Sequence, residues 1–375
     1  MTVQAPTDDL SINLLAMSLT VKALNGDTTF LLTFTPPVAP VSSPGLFPGS
    51  FTILIDPWLM GKAKIFSTKF SVSEQKITPS VSSLADLPEP DLILISQDKP
   101  DHCHEETLRT LPSNARTIIV ATSAAARKIK SWGHFKSSSI QVLQKYDEKK
   151  DESVFTLILP PFSPRGSPGE VTVCLLPAKR DVTGLHNAVG ITYRAPCSVL
   201  SAAPGSYIDL PPTPPASPLS PRTISATPRT IVPSPFYNRE KTMSVIYSPH
   251  GVSYNIIKPY ASSYLVNESA LPLTALIHSF DRVENPWYLG GNVAAGTPGG
   301  IEIAKSLLAK SWISAHDADK DNRGLSIKRI NIKKYKADHI KAMLTAENGQ
   351  SGSSDRGPKT EVIDLAVGGE FRITV

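Results

Sequence analysis

The chain reads as an α/β protein of two mixed β-sheets packed face to face, with helices outside. Three observations predict this. Strand-like runs open the chain as a hairpin, helical patterns then appear between later strands, and the same trend recurs after a proline-rich gap. Apolar faces of period two need a second sheet to cover them, and stripes of period 3.6 need a sheet beneath them.

Taken in order, residues 18–24 alternate apolar and polar, Asn25-Gly26 follows, and residues 28–34 are strand-like, which is a hairpin with a favoured turn dipeptide. Residues 51–55 form another β-rich run closed by Asp56-Pro57-Trp58. Further strands are predicted at 92–95, 117–120, 155–159, 171–176, 188–193, 244–247, 274–277 and 312–314, with a final pair at 325–332 and 361–375. Helices are predicted at 104–110, 123–132, 301–310 and 337–344. The run 296–306, GTPGGIEIAKS, lacks the glycine a phosphate loop needs before its lysine and reads as a glycine-rich connection leading into a helix.

A length of 375 residues, with 41% hydrophobic and 19% charged residues, allows a large core. No apolar run reaches the ~18 residues of a membrane span. The opening MTVQAPTDDL lacks the basic and apolar regions of a secretory signal, and Cys103, Cys174 and Cys197 are the only cysteines. Together these point to reduced thiols and an intracellular, cytoplasmic setting. The net charge of +5 permits a small anionic substrate and does not argue for nucleic acid. The basic run 328–336 reads as an edge strand with a lysine-rich outer face.

Proline is the outlier, with 34 residues in the chain and ten of them between 199 and 241. That composition cannot bury enough surface to offset its ordering entropy and reads as a disordered insertion. Its Ser-Pro and Thr-Pro pairs at Thr213, Ser217, Ser220, Thr227 and Ser234 suit proline-directed phosphorylation or a polyproline-binding protein partner. The organisation expected is therefore residues 1–198 and 242–375 as two halves of one domain, with 199–241 inserted between them.

The most informative stretch is DLILISQDKPDHCHEETL, residues 91–108. An apolar strand delivers Asp101 and His102 side by side at its carboxyl end, a common way to build a metal site. In this frame the chain resembles the metallo-β-lactamase superfamily, whose motif reads His-x-His-x-Asp-His. Here the positions are Gln97, Lys99, Asp101 and His102. The landmarks of the lactonase and N-acyl-phospholipase branches recur in order: ILIDPWL at 53–59, LLPAKRD at 175–181, IYSPHG at 246–251 and WISAHDAD at 312–319.

The resemblance implies an αββα sandwich with its site at one edge, between the sheets. Asp56 would brace the metal loop. The first metal position would fall on Gln97, Lys99 and either Lys179 or Arg180, which are poor or impossible ligands. The second would keep a full set in Asp101, His102, His250 and His316, suited to one zinc, iron or manganese ion. Lys99 and Arg180 would then hold the anionic substrate, and Asp101 would serve the reaction as well as the ion. The activity implied is hydrolysis of an ester, lactone or phosphodiester. The competing reading is a pseudoenzyme: a metal-free, degenerate fold serving as a ligand-binding or interaction scaffold, with Lys99 paired to Asp101. At His250, a turn with an exposed imidazole is equally open. His278 and Asp281 are expected in a solvated loop, and His186 in a loop. Asp317 and Asp319 are candidates to hold the His316 ring. Cys103 is incidental, since adjacent side chains point apart.

Overall fold

A computed structural model describes residues 16–37, 49–65, 71–162, 167–179, 181, 183–196, 242–286, 291–324, 330–346 and 359–375. Arg180, Cys197 and the proline-rich stretch 199–241 lie outside these residues. In chain order the strands are β1 (Ser18–Ala23), β2 (Phe30–Thr35), β3 (Phe51–Ile55), β4 (Ala63–Ile65), β5 (Ser71–Gln75), β6 (Leu92–Ile95), β7 (Ile118–Ala121), β8 (Ile140–Val142), β9 (Val154–Leu159) and β10 (Gly169–Pro177). They continue as β11 (Asn187–Arg194), β12 (Met243–Ser248), β13 (Ala275–His278), β14 (Arg282–Glu284), β15 (Asn292–Ala294), β16 (Ser311–Ser314), β17 (Lys320–Arg323), β18 (Asn331–Lys333), β19 (Glu361–Ile363) and β20 (Glu370–Thr374). The helices are α1 (Glu105–Leu108), α2 (Ser123–Ser131), α3 (Tyr254–Tyr260), α4 (Gly296–Ser306) and α5 (Ala337–Ala346).

Two seven-stranded sheets form the frame, in the orders β20-β1-β2-β3-β6-β7-β8 and β19-β16-β13-β12-β11-β10-β9. Each is half antiparallel and half parallel. In the first sheet the change comes at β3, antiparallel to β2 and parallel to β6. In the second it comes at β12, antiparallel to β11 and parallel to β13. Strands of the second sheet come from both sides of the proline-rich stretch, and β20 returns to the edge of the first sheet beside β1.

Three apolar clusters account for four layers. Phe34, Ile53, Leu94, Val173, Ile191, Tyr193, Val245 and Ile313 meet between the sheets, with Phe34 stacked on Tyr193 at 4.9 Å. Ile93, Ile119, Ala125 and Ile129 join the first sheet to α2. Ile246, Leu276, Trp312, Ile257, Ile303 and Ile340 join the second sheet to α3, α4 and α5. Each fully buried aliphatic or aromatic side chain contributes roughly 1.5–3 kcal/mol to such a core. The αββα sandwich expected from the sequence is the architecture observed.

Differences from the expected elements have local causes. The glycine-rich run is not a connection: α4 begins at Gly296, which has φ +59°, and Gly300 lies inside the helix. A Cβ on Gly300 would stand 2.1 Å from Trp312 Cζ2, so the missing side chain lets the indole lie against the helix. Pro259 sits inside α3, and a π-helical turn, Ala261–Leu265, follows it, so the helical signal is broken there. Of the expected final pair, residues 325–329 lie outside the described residues, and the described parts do not pair with each other. β18 joins β14 and β15, while β19 and β20 go to opposite sheets. No helix among the described residues is long and apolar enough to cross a membrane.

Candidate metal centre

Where strands run parallel, their carboxyl ends point the same way and the loops beyond them share one edge. β3, β6, β12 and β16 deliver Asp56, the 96–104 loop, His250 and His316 to that edge. The loop after β6 is folded on itself by the amides of His102 and Cys103, which donate to the Lys99 carbonyl at 2.9 and 2.7 Å. His104 then caps α1, its Nδ1 accepting from Thr107 N at 3.2 Å.

Asp56 is the fixed point under this loop. Its buried carboxylate accepts from Ser96 N at 2.7 Å and Ser96 Oγ at 2.5 Å. It also accepts from Tyr247 Oη at 2.7 Å and lies 2.8 Å from His102 Nδ1. A carboxylate has no proton to give, so Nδ1 of His102 is the donor and Nε2 is left facing away from Asp56. His250 is fixed in the same sense: its Nδ1 lies 3.0 Å from the carbonyl oxygen of Val293 in β15. His316 has φ +65°, a left-handed conformation that aims the residue back across the sheet edge. Its amide donates to the Asp27 carbonyl at 2.8 Å, and its Nδ1 lies 3.3 Å from Asp27 Oδ2.

The four residues expected from the sequence therefore converge. One ligand atom from each of His102, His250 and His316 lies within 4.8 Å of the others, and the two Nε2 atoms of His102 and His250 are 3.3 Å apart. Asp101 Oδ2 is 3.8 Å from His102 Nε2 and 3.9 Å from His316 Nε2. His102 and His250 are buried, whereas the side chains of His316 and Asp101 keep 13% and 18% exposure, so the cluster opens on their side. The exposed-turn reading of His250 does not hold.

The electrostatics follow from burial and from three carboxylates. Burial works against the charged form of Asp101, but His102, His316 and Lys320 outweigh it and hold the carboxyl below its usual range. Burial likewise opposes a charged His102, yet Asp101 and Asp56 prevail and raise its pKa. His250 is driven well below the usual imidazole range by burial and by the neighbouring His316 and His102. Burial and Lys320 also lower His316. Asp27 is held far below the carboxylate range: burial opposes this, but Lys320 and His316 override it.

These residues fit a divalent ion on the chemistry of the donor set. Two imidazole Nε2 atoms 3.3 Å apart, with an acceptor beside each Nδ1, direct two lone pairs at one another. That contact is repulsive unless a cation or a proton lies between them. Tetrahedral bonds of ~2.0 Å place adjacent nitrogens about 3.3 Å apart.

Other expected residues sit elsewhere. Lys99 pairs with Asp98 at 3.1 Å and makes no ion pair with Asp101, which removes the arrangement drawn for a metal-free site. Gln97 is buried with Oε1 unpartnered. Lys179 is on the rim of a cavity of about 670 Å³ beside His186, Gly251 and Arg282, which none of the four converging side chains lines. His186 ties that rim together, its ring nitrogens 3.1 Å from the Gly251 carbonyl and 3.0 Å from the Asn292 carbonyl. His278 and Asp281 are buried rather than solvated. Asp317 does not hold the His316 ring; it accepts from Phe280 N, Asp281 N and Ser314 Oγ, and Asp319 pairs with Lys76 on the surface. The thiol of Cys103 is pushed up to about 12 by burial and is inert at neutral pH.

Asp27, Tyr247 and Lys320 were not anticipated. Asp27 is in the β1–β2 turn, where Asn25 Oδ1 accepts from the amides of Asp27 and Thr29. Lys320 Nζ lies 2.8 and 3.0 Å from the two oxygens of Asp27.

Residues 47–155, which carry Asp56, Asp101 and His102, match the family profile of a β-lactamase superfamily domain. No curated protein matches the chain. Among solved structures, the chain is similar to an isothiocyanate hydrolase from Delia radicum gut bacteria, at 13% identity over 96% of this chain and 100% of that one, with a TM-score of 0.49. It is also similar to Igni18, a metallo hydrolase from Ignicoccus hospitalis, at 11% identity over 95% and 98% of the two chains, with a TM-score of 0.45. CmlA, a diiron β-hydroxylase from Streptomyces venezuelae, is similar at 12% identity over 99% of this chain and 55% of that one, with a TM-score of 0.47. Scores of this size leave the chemistry to be argued from the chain's own residues.

Proposed function

We propose that this chain is a metal-dependent hydrolase on a metallo-β-lactamase-type sandwich, in the lactonase-like manner, with one divalent ion on Asp101, His102, His250 and His316. The observation that carries the reading is the 3.3 Å approach of His102 Nε2 to His250 Nε2, each ring having its Nδ1 beside an acceptor. When bound, zinc, iron or manganese would supply a Lewis acid able to bring a water molecule's pKa near neutrality.

The chain's own residues do the rest. Asp56, the Val293 carbonyl and Asp27 orient the three imidazoles. Asp101 is ionised and lies on the open side, placed to hold a proton from an attacking water. Lys99, paired with Asp98 in the same loop, and Arg180, outside the described residues, are assigned to the anionic part of an ester, lactone or phosphodiester. The Pro-rich stretch is assigned to a protein partner. In the scaffold alternative a proton between the facing nitrogens would take the place of the ion.

Elemental analysis of the purified protein tests this first. About one equivalent of zinc, iron or manganese, lost in an Asp101→Ala/His102→Ala variant, supports it; less than about a tenth of an equivalent after metal supplementation removes it. Hydrolysis of p-nitrophenyl acetate, a γ-lactone and bis-p-nitrophenyl phosphate, abolished by chelator, then separates the substrate classes.

A further inference from the structure

Of the three clustered imidazoles, His316 has an Nδ1 that faces partners of opposite kinds. Asp27 Oδ2 lies 3.3 Å from it and Lys320 Nζ 3.2 Å. A carboxylate only accepts and an ammonium only donates. Nδ1 therefore carries a proton when it bonds Asp27 and none when it bonds Lys320. A neutral ring has one proton to place. In the first case Nε2 is bare and faces the cluster; in the second Nε2 holds the proton and the ligand position is filled. His102 and His250 have no such choice among the bonds described, since Asp56 Oδ2 and the Val293 carbonyl are both acceptors.

Lys320 is part of the interior and not a passing surface cation. Its side chain is 10% exposed, against 0% for Asp27, and it reaches both carboxylate oxygens. Two ammonium hydrogens serve Asp27 and the third is left for the ring. Lys320 also borders a cavity of about 350 Å³ with Asn25, Gln75 and Ser314, which leaves room for a water to take that third hydrogen once the ring turns to Asp27.

We propose that Lys320 is a positioning residue that opposes metal uptake by selecting the Nε2-protonated tautomer of His316, while Asp27 selects the ligating one. This rests on the reading of the cluster as a metal site. Uptake then moves the ring's proton from Nε2 to Nδ1, with none gained or lost by this ring. The hydrogen bond from Lys320 to Nδ1 breaks and one from Nδ1 to Asp27 forms. The positive charge of Lys320 acts in the same direction, so removing it should tighten binding on both counts.

The test is a long-range ¹H–¹⁵N spectrum of the metal-free protein, with the His316 ring assigned by its loss in His316→Gln, beside Co²⁺ affinity from competition with a chromophoric chelator. The wild-type ring should show the Nε2-protonated pattern and Lys320→Met the Nδ1-protonated one. Lys320→Met should bind Co²⁺ about tenfold more tightly or better, in the range that partners of metal-bound histidines command. A wild-type ring already protonated on Nδ1, or a Lys320→Met affinity no higher than wild type, overturns the assignment. If neither protein takes up Co²⁺, the metal reading fails, and the ring spectra still decide the role of Lys320. Should Lys320→Met not fold, the wild-type spectrum decides by itself.

Discussion

Acid should unfold this protein partly through His278, a histidine outside the metal cluster. Its ring ends β13, fully buried, edge-on to Trp312 at 5.9 Å. Nδ1 donates to the Ser279 carbonyl at 2.8 Å, and Nε2 has no hydrogen-bond partner. An imidazolium there would carry an unpaired buried N–H, so burial pushes the pKa down to about 4 from the ordinary imidazole value of 6.5. The folded-state pKa lies below the unfolded one, so the unfolded chain takes up the proton first. The contribution is fully present above pH 6.5, is lost as the pH falls from 6.5 toward 4, and changes no further below that. That gap between the folded and unfolded values makes the full loss roughly 3 kcal/mol, most of it gone by pH 4.5.

Urea unfolding followed by tryptophan fluorescence at pH 7.0, 6.0, 5.0 and 4.5 measures this against His278→Leu, which has a similar volume and does not titrate. Every other titrating group cancels in the difference between the two proteins. Wild type should lose about 2–3 kcal/mol more than the variant by pH 4.5, close to 1 M in midpoint for a slope of about 3 kcal/mol per M. Curves that stay parallel within about 0.5 kcal/mol would show that Nε2 finds a partner in solution, and the argument from its isolation would be wrong.

Three further outcomes are expected. Asp56→Ala should cost about 3–5 kcal/mol in chemical denaturation, because it strands Ser96 N, Tyr247 Oη and His102 Nδ1 around a fully buried gap. Gly300→Ala should cost about 1–3 kcal/mol and shift the near-UV signal of Trp312, since the new Cβ lands 2.1 Å from its ring. His316→Gly should be more stable than His316→Ala by about 1 kcal/mol in urea, because φ is +65° there and alanine pays for that conformation where glycine does not; equal midpoints would mean the backbone relaxes.

How much of this was legible depended on sequence distance. β6 was readable to the residue because its four apolar positions are bounded by Asp91 and by the polar loop after Ile95. Asp101 and His102 followed from that strand, whereas His250 and His316 were implied by the family resemblance. The residues that orient these ligands were hidden. Asp27 follows Asn-Gly, where turn chemistry is a sufficient explanation, and its partner Lys320 is 293 residues away. Tyr247 reads as a strand residue, and only the fold turns its hydroxyl onto Asp56, 191 residues away. Short strands such as β4, β14 and β15 hold three residues each and carry no measurable period. The carbonyl that holds His250 belongs to one of them.

The turn between β1 and β2 explains why ligands so far apart meet. Through Asp27 it binds the His316 amide and ring, and through Thr28 Oγ1 it bonds the Asp101 carbonyl at 3.1 Å. Its Thr28 carbonyl also accepts from Tyr247 Oη at 3.4 Å. His316 and His250 belong to the second sheet, Asp101 and His102 to the first, and this turn spans the seam between them. An ion on those four residues would join the two sheets directly, so its binding energy would add to the stability of the whole sandwich and not only to one loop. At a free metal concentration 1,000 times the dissociation constant, the addition is about 4 kcal/mol. A global midpoint that metal leaves unmoved would mean that the folded protein holds no ion, or that the unfolded chain binds it as well.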